Sequence, residues 1–142
     1  VRGATIGGGG VPTGNTDPNF TDEGPNRVTD AYGTITGGDN NQAGDNAGSV
    51  LDRPFATVGG GSNNTASGYV STVAGGFGNT ASGDFSFAAG VQANATHPSS
   101  FIWNGWYGGS APSFASNRAH FFGENGLSVD FRARRSDGGG TF

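Results

Sequence analysis

One short phrase recurs at a fixed interval, and that interval restricts the chain to very few architectures. Ala56-Thr57-Val58-Gly59-Gly60-Gly61-Ser62-Asn63-Asn64-Thr65-Ala66-Ser67-Gly68 is answered by Ser71-Thr72-Val73-Ala74-Gly75-Gly76-Phe77-Gly78-Asn79-Thr80-Ala81-Ser82-Gly83. A looser third pass runs from Ser86 to Ala95, and Thr57, Thr72 and Phe87 are spaced by fifteen residues, as are Asn64, Asn79 and Asn94. A period this short belongs to a solenoid, in which each repeat is one small unit that hides its apolar face only by stacking on its neighbours. The expected fold class is therefore all-β, a parallel β-roll or solenoid with coils of about fifteen residues.

Weaker copies extend the repeat backwards. Ala4-Thr5-Ile6-Gly7-Gly8-Gly9 and Gly33-Thr34-Ile35-Thr36-Gly37-Gly38-Asp39-Asn40-Asn41 carry the same phrase, separated by more than one period. The surplus falls at residues 12–30 and 45–55, both rich in Pro, Asp, Asn and Gly, which reads as loops leaving the coil corners. This divides the chain into a repeat region at 1–95, with five coils and two insertions, and an aromatic-rich capping or transition segment at 96–142 with a flexible C-terminal end. Within a coil, alternation places Ser71 and Val73 on the inward face and Thr72 and Ala74 on the other. Asn64, Asn79 and Asn94 are expected to stack in register as an amide ladder, a structural role.

Composition then removes whole classes of function. The chain of 142 residues holds 29 glycines, and Leu, Ile, Val and Phe together number only 25. Such poverty in large apolar residues accompanies disorder when net charge is high, but here the net charge is −4 and the period is strict. All seven cations are Arg and no basic stripe exists, so nucleic acid is not an expected partner. There is no cysteine to pair or react, and no apolar run approaches the length of a membrane span, so no membrane contact by this segment is expected.

No catalytic residue is assigned. His97 and His120 lack a metal-binding spacing, no G-x-S-x-G turn occurs, and Gly7-Gly8-Gly9-Gly10 is not followed by the Lys and helix of a phosphate loop. The chain is read as not an enzyme, and a left-handed helix acyltransferase is set aside for want of hexapeptide periodicity. Asp17, Asp22, Glu23 and Asp30 in the first insertion offer the oxygens calcium needs, but no loop glycine or twelfth-position acid accompanies them. No metal and no cofactor are expected, and the binding residues stay unknown. Stacked threonines (Thr57 over Thr72, Thr65 over Thr80) make an ice-binding solenoid the alternative, although Thr57 is followed by Val58 and Gly59, so no coil is expected to offer a doubled T-x-T row, and Phe87 interrupts the column.

At Ala81-Ser82-Gly83-Asp84-Phe85-Ser86-Phe87-Ala88-Ala89-Gly90 the pattern is A-x-G-x-x-S-x-A-x-G, and Ala66-x-Gly68-x-x-Ser71-x-Val73-x-Gly75 repeats it with Val for Ala. This resembles the head repeat of trimeric autotransporter adhesins, the YadA-like head, over residues 56–95 and more weakly back to Ala4. The resemblance implies a left-handed roll, three chains around one axis, and a surface-exposed fibre head involved in cell adhesion. It places the chain in the extracellular space or on the cell surface, with a homotrimer, a longer fibre assembly and a protein or glycan receptor as partners. A phage-type tail fibre using the same repeat is a related expectation. The small private core of a roll lined by Val, Ala, Ser and Thr also favours association. Phe87 and the aromatics after Phe101 are the expected contact residues, near the axis or the capping end.

Overall fold

The computed structural model describes residues 1–9, 24–106 and 108–124, and the acids Asp17, Asp22 and Glu23 and the Arg-rich segment 132–140 lie outside them. Thirteen strands follow in chain order: β1 Thr5–Ile6, β2 Arg27–Val28, β3 Thr34–Ile35, β4 Gln42–Ala43, β5 Thr57–Val58, β6 Thr65–Ala66, β7 Thr72–Phe77, β8 Thr80–Ala81, β9 Phe87–Val91, β10 Ala93–Ala95, β11 Phe101–Asn104, β12 Ala111–Pro112 and β13 Ala119–Phe122. Odd-numbered strands form one parallel sheet and even-numbered strands β2 to β12 form another, each in sequence order. The chain is thus a β-solenoid of six two-strand coils, with β13 opening a seventh rung. No helix occurs among the described residues, and none there could cross a membrane.

Why so few large residues suffice is clear from the interior. The first sheet sends Ile35, Val58, Val73, Ala88 and Ile102 inward, and the second answers with Ala43, Ala66, Ala81 and Ala95, all fully buried. Little room is left between the walls, so Ile35, Val58 and Val73 on one side are matched by Ala43, Ala66 and Ala81 on the other. Ser71 and Val73 are buried while Thr72 is half-exposed and Ala74 exposed, as alternation predicts.

Asparagines fasten one corner. Asn26, Asn41, Asn64 and Asn79 stack in the interior, and the Oδ1 of each accepts the backbone N–H of the next at 3.0–3.1 Å. Each later amide nitrogen also donates along the stack and to glycine carbonyls; Asn64 Nδ2 reaches Asn41 Oδ1 at 3.1 Å, Gly60 O at 2.9 Å and Gly76 O at 2.9 Å. An amide, with donor and acceptor at one tip, satisfies groups that a hydrocarbon side chain would strand in the interior. The glycines opposite are required by close approach: Gly76 has φ +109° and a Cβ there would run into the carbonyl oxygen of Gly90.

Four expectations need correction. The ladder does not include Asn94. A bulge at Ala74 lets the fifth coil run one residue short, so Gly75 pairs with Ala89 and Asn94 pairs with Thr80 on the outer face. Ala93 takes the ladder position, donating its N–H to Asn79 Oδ1 at 2.9 Å. The insertion drawn at 12–30 contains an element of the stack, because Arg27 and Val28 form β2, in register with Gln42 and Ala43, and Asn26 begins the ladder.

Nor does the parallel stacking stop at Ala95. Phe101 pairs with Phe87, Ile102 with Ala88, and Ala119–Phe122 with Phe101–Asn104. The segment from 96 is therefore continuous with the solenoid as far as Phe122, and the coils number six, not five. Finally, one coil does carry a doubled threonine, Thr34-Ile35-Thr36, with Thr36 exposed.

Candidate functional site

The residues with most to offer a partner lie on the outside. Every aromatic side chain that the structure describes is excluded from the buried core, which consists of Ala, Val and Ile. Alternation produces this outcome: an outward position in β9 or β11 is the place held by Thr5, Thr34, Thr57 and Thr72 in the earlier rungs. Rung stacking then turns one outward aromatic into a row, since neighbouring strands bring equivalent side chains about 5 Å apart.

Two such rows exist among the described residues. On the first sheet Phe87 stacks on Phe101 with ring centroids 4.7 Å apart and planes within 4°, and Phe101 meets Phe121 at 5.5 Å. Trp103 and Phe121, exposed by 43% and 47%, widen this surface at the C-terminal end of the stack. Trp106, Phe121, Phe122, Gly123 and Glu124 line a depression beside it.

The second row climbs the corner that precedes β3, β5, β7 and β9. Tyr32 stacks on Phe55 at 5.1 Å, Phe55 meets Tyr69 edge-on at 6.3 Å, and Tyr69 meets Phe85 at 5.3 Å. Tyr32, Phe55, Val70 and Phe85 share a left-handed backbone at successive turns, with φ of 60°, 66°, 52° and 58°. That conformation is costly for side chains with a Cβ, above all for β-branched Val70, and it aims each of them off the corner into solvent.

The two histidines are not brought together. His97 Nδ1 lies 2.8 Å from the Ser113 hydroxyl, and Ser113 Oγ also accepts the backbone N–H groups of Thr96 and His97 at 3.0 and 3.1 Å. A hydroxyl holding two backbone donors fastens a coil corner, and its lone pairs are engaged. His120 sits among aromatics, 5.4 Å from Phe114 and 6.3 Å from Phe122 between ring centroids. Arg53 pairs with Asp84 at 2.6 Å across two turns of the stack.

Thr5, Thr34, Thr57 and Thr72 do form an outward column in register, which ends where Phe87 replaces the hydroxyl. Thr65 over Thr80 forms a shorter one on the second sheet. The rows of rings were legible only in part. Fifteen-residue counting finds Phe87, but the shared Ser-Phe of Ser86-Phe87 and Ser100-Phe101, fourteen residues apart, was the signal for the next rung.

The fold and its surfaces define a β-solenoid with external aromatics, and nothing narrower. Comparison with protein-family models, with curated proteins and with solved structures finds no match for this chain.

Proposed function

We propose that this chain is a structural and adhesive module of an extracellular fibre, non-enzymatic, working as a homotrimer in the manner of a surface-adhesin head. One observation carries the reading: the solenoid encloses Ala, Val and Ile, while its described aromatics lie exposed or half-buried, with Phe122 alone among them packed against that core. Aromatic rings contribute most of their stabilisation when desolvated, and a contiguous exposed row of them marks a surface built for contact. The resemblance of the A-x-G-x-x-S-x-A-x-G repeats to the YadA-like head implies the threefold, left-handed arrangement, which exposure alone would not select. Identical chains favour closed rotational symmetry.

In this reading the first sheet faces the other two chains, with Phe87, Phe101, Trp103 and Phe121 at the contact. The corner row Tyr32, Phe55, Tyr69 and Phe85 points elsewhere and is left for a protein or glycan receptor, whose sugar rings would stack on such a ladder. The threonine column does not favour the ice-binding alternative, because Thr36 has only Gly59 and Ala74 after it in the neighbouring row and Phe87 ends the column.

Sedimentation equilibrium at micromolar concentration tests the assembly. A mass near three times 14.2 kDa is expected. The double variant Phe87→Thr/Phe101→Thr installs the residue that four other rungs carry at this position, and should shift the species towards monomer. A folded wild-type monomer would refute the trimer and remove the basis for a fibre head.

A further inference from the structure

Asp30 ends the corner after β2 and is fully buried. Its Oδ2 accepts the Asp45 N–H at 2.9 Å and the Thr29 hydroxyl at 3.2 Å, whereas its Oδ1, equally shielded from solvent, has no hydrogen-bond partner. The carboxylate fits there because residue 44 is glycine at φ +109°; a Cβ at that position would collide with Asp30 Oδ2 and Thr29 Oγ1. The insertion after β4 leaves past this carboxylate and returns to it. Ala31 N donates to Val50 O at 2.7 Å, and Phe55 N donates to Ala31 O at 3.0 Å.

That path brings two more acids to the same point. One carboxylate oxygen from each of Asp30, Asp45 and Asp52 lies within 4.8 Å of the others, and the three run from buried through half-buried to exposed. Arg53 lies 3.9 Å from Asp45 but is engaged by Asp84 at 2.6 Å. A buried carboxylate with a bare oxygen, beside two further carboxylates, is strongly unfavourable unless a cation stands among them.

We propose that Asp30, Asp45 and Asp52 form a calcium site that clamps the 45–55 insertion onto the first two coils. The chemistry selects the ion. Calcium takes oxygens at about 2.3–2.6 Å, so ligands on opposite sides of it are up to about 5 Å apart, and it accepts a loop and water for the rest of its shell. Magnesium demands oxygens nearer 2.0–2.1 Å in a rigid octahedron, and zinc prefers nitrogen or sulfur, which this cluster does not offer. Of the acids Asp17, Asp22, Glu23 and Asp30 of the first insertion, only Asp30 belongs to this set. The clamp would hold Val50 and Leu51, both exposed, in one arrangement at the side of the stack.

Calcium chloride titrated calorimetrically into the chelator-treated full chain provides the test. The expected result is one ion per chain with a midpoint near 10⁻⁴ M, the range of extracellular calcium modules, and magnesium at least about tenfold weaker. Asp52→Asn, an exposed change, should weaken uptake at least about tenfold and leave the calcium-free melting temperature unchanged. Asp30→Asn should abolish uptake while melting no lower than calcium-free wild type, since it removes the bare buried charge. No saturable uptake by about 10 mM calcium would overturn the proposal. So would equal uptake in wild type and Asp52→Asn, which would put the ion elsewhere, or equal affinity for magnesium.

Discussion

Replacing Asn64 by Ala should cost this fold far more than replacing Asn94 by Ala, although the two asparagines look equivalent in the repeat. Truncating Asn64 removes the acceptor for the Asn79 backbone N–H at 3.0 Å and for the Asn79 amide at 3.0 Å. It also removes the donor to Gly60 O and one of two donors to Gly76 O, which keeps the N–H of Ser62. Asn79 N and Gly60 O are then left unpaired in the interior, at about 1–3 kcal/mol each. The small void adds about 1 kcal/mol, giving a loss of about 4 kcal/mol from a total that for such domains is about 5–15 kcal/mol.

Asn94 lies half-exposed over Thr80 on the outer face, so its truncation should stay within about 0.5 kcal/mol. Urea denaturation followed by circular dichroism measures both. A midpoint unchanged in Asn94→Ala and sharply lowered in Asn64→Ala is the expected pair. Equal losses would show that the bulge at Ala74 is misplaced and that counting by fifteen was right. The double variant Asn64→Ala/Asn79→Ala should lose less than the sum of the singles, because the two amides share bonds.

Two further substitutions probe the interior by the same measurement. Gly76→Ala combines a left-handed φ with a collision against Gly90 O and should cost more than about 3 kcal/mol, whereas Gly48→Ala, at φ +96° with open space around it, should cost only about 1–2 kcal/mol. Similar losses for both would mean that rung spacing does not depend on glycine. Ser71→Ala should be neutral or stabilising by up to about 1 kcal/mol, because the buried Ser71 hydroxyl has no partner and the preceding rung already carries Ala56 there. A clear loss would reveal a hydrogen bond to that hydroxyl.

Much of the stack was legible because side-chain alternation and the fifteen-residue period are properties of local sequence. Thr5, Thr34, Thr57, Thr72 and Phe87 follow one another in register as read from the repeats, and Val73 lies inside. What escaped is what a period cannot express. A single-residue bulge at Ala74 changes the count from fifteen to fourteen without changing the stack, because the extra residue bows outward while the hydrogen bonds on both sides persist. Beyond that bulge a count of fifteen puts Asn94 in the ladder and misses the rung beginning at Ser100.

The same reasoning explains β2. Asn26-Arg27-Val28 keeps the inward Asn and the inward apolar residue of the second strand but shares no letter pattern with Gln42-Ala43 or Thr65-Ala66 beyond that. The Asp30, Asp45 and Asp52 cluster was not readable, since its members meet only after a loop closes in space.

The direction of the rung-to-rung hydrogen bonds has a mechanical consequence. They run along the stack, so a pull applied through the two ends loads them in tension from the terminal rung inwards, and coils should come away one after another. Each release would add the length of one coil: about 50 Å for the fifteen residues from Thr57 to Thr72, and about 80 Å for the 23 from Thr34 to Thr57. Force spectroscopy on a single chain would then show unequal steps in a fixed set, and the insertions would act as reserves of length that the chain yields before the rest of the stack opens.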